Sequence, residues 1–241
     1  MSEQFSESRR EMEHPSIVVG EAQSPLYNQD AILIDRENCF FGVFDGMGSG
    51  GGSPRRAAEI AKSTVSEIAE FSGSPEEYTE LFAAAMEKAH RDILEAAGEY
   101  EHPGGTTAAI GKIIYHDNAP YLIWASVGDS RIYLNREPNS VFSNPEQLSK
   151  DEGFGTYLFH CLGCEVSAFR SLKQADIVRL ELGCRIIICT DGVTGDKEEE
   201  IIEAPELKKM AYKKEPQEAA EYLVKMARKN DDRTAIVIDI K

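Results

Sequence analysis

No apolar run in the chain approaches the roughly 20 residues that a membrane-spanning helix needs, so no such span is expected. Basic residues are in the minority: 26 Lys and Arg stand against 42 Asp and Glu, for a net charge of −16. Nucleic acids and anionic membranes attract basic surfaces, so neither is expected as a main partner. The opening stretch, MSEQFSESRREMEH, lacks the apolar core of a leader, and residues 1–14 are expected to be disordered. Cysteine is scarce. Cys39, Cys184 and Cys189 sit in apolar runs and read as core, while Cys161-Leu-Gly-Cys164 is a lone C-x-x-C. With no second pair and no His at finger spacing, neither a zinc site nor a redox pair is expected there. An odd cysteine count without a leader suggests a reducing cytoplasm. Internal repeats, low-complexity tracts and linkers are also missing, so residues 15–241 read as one domain, long enough for a sizeable core.

What is present is organised around Cys39 to Ser53, CFFGVFDGMGSGGGS. An apolar run of β-formers predicts a buried strand ending at Phe44. Asp45 closes it, a glycine-rich bend follows, and Ser53-Pro54 has the form of an N-cap and first helical position. A carboxylate on a strand end beside such a bend suits a hard metal ion. Gly46, Gly48 and Gly51 also satisfy G-x-G-x-x-G, but a dinucleotide fold wants a second strand ending in an acid about 20 residues on. Here the pattern is still helical at Glu67 and Glu70, and Asp45 would repel a pyrophosphate.

In chain order, Ser16–Gly20 is β-like, and AILID after Asp30 forms a hairpin with Asn38–Phe44 about a turn at Asp35–Asn38. That hairpin would set Asp30 and Asp45 side by side. A helix is predicted over Pro54–Phe71, with Ala58, Ala61, Val65, Ile68 and Ala69 inside. Ser74-Pro75-Glu76-Glu77 is a capping box opening a second helix to about Ala97, with Leu81, Ala85, Ala89, Ile93 and Ala96 as its stripe. His90 reads as a packing or surface residue. Strands follow at Thr106–Tyr115, Tyr121–Val127, Arg131–Leu134, Ile177–Leu180 and Arg185–Cys189, then helix and loop at Lys197–Lys214, a helix at Pro216–Lys229, and a last strand, AIVIDI.

The pattern that demands chemistry is an aspartate at successive strand ends: Asp30, Asp45, Asp129, Asp191 and Asp231. A strand-edge aspartate is most often a turn former. Two of these, however, stand between an apolar strand and a glycine, at Asp45-Gly46 and Asp191-Gly192. Converging carboxylates raise one another's pKa unless cations compensate. Without a His cluster, their oxygens select Mg²⁺ or Mn²⁺. A pair of such ions activates a shared water and steadies a displaced phosphate oxygen. The residues alone thus suggest metal-assisted hydrolysis of a phosphate ester.

The chain resembles the metal-dependent protein phosphatases of the PPM family, or type 2C, in bacterial style. The matching pieces come in the family's order: Asn28-Gln29-Asp30, FFGVFDGMG, Gly105-Thr106-Thr107-Ala108, Gly128-Asp129-Ser130-Arg131, IIICTDGVT and Asp231-Asp232-Arg233-Thr234. The resemblance implies an α+β fold, a four-layer α-β-β-α sandwich of two antiparallel β-sheets flanked by helices. It also implies hydrolysis of phosphoserine and phosphothreonine on proteins, by direct attack of a metal-bridging water. Phosphorylated protein substrates and an opposing serine/threonine kinase are the implied partners. By position, Asp45 matches the acid bridging two ions and the Gly46 carbonyl matches a backbone ligand. Asp191 and Asp231 match direct ligands, and Asp30 matches the acid supporting the site through metal or its water. Asp129 matches an acid for a third ion. Gly105–Ala108 and Arg131 match structural positions.

The departures are specific. Pro25 stands where many members carry a phosphate-gripping Arg, with Arg55 or Arg56 as substitutes. Met47 replaces a His common in eukaryotic members, Gln29 replaces Glu, and Asp232 takes the usual Asn place. Gly195 stands where several members have a further metal-site Asp, with Asp196 one place off. A catalytically weak or inactive binding module, and a hydrolase of another phosphate ester, are the alternative readings.

Overall fold

The computed structural model describes residues 15–48, 53–96, 104–140, 143–154, 157–164, 175–195, 202–211 and 214–241. The expected disorder of residues 1–14 falls outside them, as does Asp196. The described elements run β1 (Ile17–Ser24), β2 (Ala31–Asp35), β3 (Phe40–Phe44), β4 (Gly46–Met47), α1 (Pro54–Ser66), α2 (Pro75–Ala96) and β5 (Gly105–Thr106). Then come β6 (Ala108–His116), β7 (Ala119–Val127), β8 (Arg131–Asn135), β9 (Glu146–Gln147), β10 (Gly153–Phe154), β11 (Tyr157–Leu158) and β12 (Ala175–Arg179). The chain closes with β13 (Arg185–Cys189), α3 (Asp191–Thr194), α4 (Ala204–Ala211), α5 (Pro216–Met226) and β14 (Arg233–Ile240). No helix among the described residues is long and apolar enough to cross a membrane.

Strand alternation builds two five-stranded antiparallel sheets, ordered β1-β14-β13-β8-β9 and β12-β7-β6-β3-β2. Because successive side chains point to opposite faces, each central strand feeds two cores. Phe41 and Val43 of β3, Ile186 and Ile188 of β13, and Ile236 and Ile238 of β14 fill the space between the sheets. Phe40 and Phe44 turn outward onto Ala57, Ala61, Phe82 and Met86 of α1 and α2. On the other side, Ile187, Cys189 and Val237 meet Leu207, Leu223 and Val224 of α4 and α5. The result is the expected α-β-β-α sandwich, with apolar matter in all three seams.

Several boundaries differ from the sequence pattern, each for a local reason. The capping box closes as expected: Glu77 N donates to Ser74 Oγ (3.3 Å) and Ser74 N to Glu77 Oε2 (2.7 Å). Tyr78, Phe82 and Met86 join the buried stripe of α2, whereas Leu81 is only partly buried. β3 starts two residues later than expected because Cys39 has φ +51° in the turn. That turn is closed by Asn38 N donating to Asp35 Oδ1 (2.9 Å), and it leaves Cys39 partly exposed rather than in the core. The single strand expected over Thr106–Tyr115 is two, β5 and β6, parted at Thr107. β1 runs on to Ser24 because β14 offers it a partner along its whole length.

Candidate active site

The C-terminal end of β3 and of β13 and the start of β14 meet at one edge of the sandwich. Two threonines close the seam there. Thr190 N donates to the Thr234 carbonyl (3.1 Å), and Thr234 N donates back to Thr190 Oγ1 (3.1 Å). Both hydroxyls then donate to Asp30 Oδ2, at 3.1 Å from Thr190 and 2.6 Å from Thr234. Asp30, Asp191 and the Asp231-Asp232 turn are thereby tied together across about 200 residues of chain, a separation of 204 for Asp30 and Thr234.

Asp45 joins them through the hairpin register, in which Ala31 faces Phe44. Its backbone is held on both sides. Asp45 N donates to Thr107 Oγ1 (3.0 Å), while its carbonyl accepts from Thr107 N and Thr106 Oγ1 (2.9 Å each). The break between β5 and β6 therefore fixes Asp45, which gives the Gly105–Ala108 stretch its structural role. Thr106 is itself clamped by a two-way backbone pair with Leu162 (2.9 Å each way).

The two Asp-Gly steps have a shared cause. A Cβ on Gly46 would press against the Pro54 carbonyl and sit 2.6 Å from the Gln29 carbonyl. A Cβ on Gly192 would collide with the Asp232 carbonyl. In each case glycine lets the backbone beside one aspartate approach the loop carrying another. Neither has the positive φ that otherwise calls for glycine.

Electrostatics confirm the crowding. Burial, followed by the charges of Asp30, Asp191, Asp231 and Asp129, pushes the Asp45 carboxyl well above its ordinary range. Burial raises Asp30 to about 7, with Asp232 and Asp231 adding to the rise and the two threonine hydroxyls opposing it. Asp129 also rises to about 7, through burial and then Asp191, with Lys229 pulling the other way. All five sequence-nominated acids, Asp30, Asp45, Asp129, Asp191 and Asp231, are thus in one electrostatic neighbourhood.

The donor set fits hard divalent cations. It is all oxygen, and Asp30 Oδ1 and Asp191 Oδ1 are buried with no hydrogen-bond partner among the described residues. Buried acceptors of this kind call for a cation or a water. As they stand, no three acids, imidazoles or thiols among the described residues are gathered closely enough to cage an ion. The physical reason is visible in the side chains: the threonines hold Asp30, and an ammonium, Lys229 Nζ, contacts Asp191 Oδ2 and lies 3.1 Å from Asp231 Oδ2. Cys189 is not a competing nucleophile, since full burial pushes its thiol up to about 12.

Three participants were not singled out by sequence reasoning. Thr190 and Thr234 were inside the quoted motifs, directly before Asp191 and after Arg233, and their adjacency to the acids was the available signal. Lys229 gave none, because a lysine at a helix end reads as a solvated cap. Asp232 stands out in the sequence only as a departure from the usual Asn. Its buried carboxylate accepts the backbone N–H groups of Leu26, Tyr27, Asn28 and Gln29. It thus folds the loop that delivers Asp30. Burial would raise this acid, but the four N–H dipoles outweigh it and hold the carboxyl below its usual value.

The remaining nominated residues also have clear places. Arg131 pairs with Asp151 in two-pronged fashion (3.0 and 2.8 Å) and is structural. His90 Nδ1 accepts from Gly163 N (3.0 Å), a packing role. Arg55 donates to the Asp30 carbonyl and pairs with Glu59, whereas Arg56 is exposed. Gly195 has φ +72° and donates to the Asp191 carbonyl at 2.6 Å. The C-x-x-C departs from expectation: Cys161 and Cys164 are joined in a disulfide, with Cα atoms 5.6 Å apart. Gly163, at φ +80°, makes the turn that brings them together.

The family model described as protein phosphatase 2C matches residues 20–234. A curated relative from Oryza sativa subsp. japonica, the probable protein phosphatase 2C BIPP2C1, is 26% identical over 235 residues, covering 89% of this chain and 36% of its own. The chain thus spans about a third of the length of the curated relatives it matches. Among solved structures, the catalytic domain of the serine/threonine phosphatase PstP in complex with two manganese ions superposes with TM-score 0.72 at 20% identity, over 93% of this chain and 99% of that one. The S. agalactiae serine/threonine phosphatase gives 0.74 at 18%, over 94% and 100%. PppA, a key regulatory component of T6SS in Pseudomonas aeruginosa, gives 0.71 at 19%, over 93% and 98%. At these identities the structural likenesses speak to the fold.

Proposed function

The chain belongs to the protein phosphatase 2C family, and from that premise we propose that it hydrolyses phosphoserine and phosphothreonine on proteins, with residues 15–241 acting as one phosphatase domain. The observation that carries the reading is the meeting of Asp30, Asp45, Asp129, Asp191 and Asp231 at one edge of the sandwich, with buried carboxylate oxygens lacking partners among the described residues. Asp45, the Gly46 carbonyl, Asp191 and Asp231 would hold two divalent ions, Mn²⁺ or Mg²⁺, with Asp129 serving a third. Ions of this kind, when bound, lower the pKa of a water and offset charge on phosphoryl oxygens.

The chain's own residues do the positioning. Thr106 and Thr107 fix the Asp45 backbone, so its carboxylate is preorganised rather than recruited. Thr190 and Thr234 occupy Asp30 Oδ2 and leave Oδ1 to orient a water and receive its proton. Arg55, anchored on the Asp30 carbonyl, supplies positive charge for the substrate phosphate that the position of Pro25 does not. The corresponding partners are proteins phosphorylated by a serine/threonine kinase.

The test is turnover of p-nitrophenyl phosphate and of phosphoserine and phosphothreonine peptides by the full chain, stripped with chelator and then given Mn²⁺. Activity that vanishes with the chelator and returns with the ion is expected. Mn²⁺ binding without turnover on any of these substrates would contradict the reading.

A further inference from the structure

Lys229 is a side chain that the proposed chemistry does not use. It lies in the four-residue run Ala227 to Asn230 that joins α5 to Asp231. Its backbone is pinned: Arg233 Nε and Nη2 both donate to the Lys229 carbonyl, at 3.2 and 2.7 Å. From that fixed base the side chain, only 18% exposed, reaches inward. Its ammonium contacts Asp191 Oδ2 and stands 3.1 Å from Asp231 Oδ2, and its charge is felt at Asp129. A long, mobile lysine on a helix end would ordinarily lie in water, where an exposed pair is worth little. Here it is drawn among carboxylates that would otherwise repel one another.

We propose that Lys229 is a tethered cation seated between Asp191 and Asp231 in the ion-free chain, and that it must leave before a divalent ion can take those two carboxylates. The inference rests on the reading of Asp191 and Asp231 as ion ligands. Lys229 holds Asp191 Oδ2 and Asp231 Oδ2 and leaves Asp191 Oδ1 open, but an ammonium this near repels an incoming divalent ion, so whatever stabilisation Lys229 gives the ion-free chain is subtracted from ion affinity. The lysine would also offset the mutual repulsion of these carboxylates when no ion is bound.

The test is calorimetric titration of the full, chelator-stripped chain with Mn²⁺. Lys229→Gln should bind Mn²⁺ more tightly than wild type, by roughly tenfold or more, while its ion-free form melts at a lower temperature. Lys229→Arg keeps a cation and should not show the gain. A measurement on the wild type covers the case in which the Gln variant fails to fold. Brief acetylation with acetic anhydride, followed by peptide mass spectrometry, should label Lys229 slowly without Mn²⁺ and faster with it. Equal or weaker Mn²⁺ affinity in Lys229→Gln, or labelling that Mn²⁺ leaves unchanged, overturns the proposal. If neither wild type nor Lys229→Gln binds Mn²⁺, the ligand reading itself fails and takes the proposal with it.

Discussion

Asp232 offers a quantitative perturbation. Its carboxylate is 2% exposed and accepts four successive backbone N–H groups, those of Leu26, Tyr27 and Asn28 on Oδ1 and that of Gln29 on Oδ2. Each hydrogen bond to a charged group contributes on the order of 1.5–3 kcal/mol. The four do not simply add, because Leu26 and Tyr27 are 52% and 56% exposed and water can satisfy their N–H groups once the acid is gone. Asp232→Ala is therefore expected to cost about 3 kcal/mol, a fall in melting temperature of roughly 6–12 °C for a chain of this size. Asp232→Asn keeps one acceptor oxygen but turns an NH₂ toward one donor, so about 1 kcal/mol is expected. The sign with pH follows from the depressed carboxyl. Its stabilisation is present above the ordinary aspartate value and is lost as pH falls through the lower folded value, so the gap between wild type and Asp232→Asn should close in acid. Thermal and urea unfolding in chelator provide the assay. If both variants stay within about 0.5 kcal/mol of wild type, the loop is not held by this acid and the reasoning fails.

Asp45→Asn should abolish Mn²⁺ binding by calorimetry and reduce p-nitrophenyl phosphate turnover by roughly a hundredfold or more; a retained rate would exclude Asp45 from the site. In chelator, Asp30 and Asp129, both raised to about 7, bind protons in the folded chain that the unfolded chain has released. The contribution of these two acids is therefore greatest below the unfolded value of 3.8 and is lost as pH rises to about 7, so the melting temperature in chelator should fall between pH 5 and pH 7, with Mn²⁺ flattening the slope; a melting temperature that rises over that range in chelator would contradict the shifts. Gly192→Ala drives a Cβ into the Asp232 carbonyl and should cost about 3 kcal/mol by urea unfolding; a neutral result would mean that the two loops are not in close contact. Denatured without reductant, the chain should present three alkylatable thiols by mass spectrometry, Cys39, Cys184 and Cys189, with all five reacting only after reduction.

Much of this molecule was legible in the sequence because its signals are local. The Ser74–Glu77 box, the alternation in Arg185–Cys189 and the hairpin from Ala31 to Phe44 each carry their own geometry. So did the placing of the acids, since an aspartate after a buried strand has to emerge at the sheet edge. What stayed hidden depends on partners far along the chain. Nothing near Thr107 announces that it leaves its strand to hold Asp45. The four-fold grip of Asp232 on Leu26–Gln29 spans a separation of more than 200 residues. The disulfide at Cys161 and Cys164 turns on Gly163 taking a left-handed conformation, which a glycine permits but does not demand. The inward turn of Lys229 is a response to charge gathered from three other strand ends.

The most direct trial of the account is anomalous diffraction at the manganese edge from crystals of the chain grown with Mn²⁺. Anomalous peaks within bonding distance of the Asp45, Asp191 and Asp231 carboxylates, with the Lys229 ammonium withdrawn, are the predicted result. Peaks elsewhere on the surface, or Lys229 still lodged between Asp191 and Asp231 at saturating Mn²⁺, would contradict it.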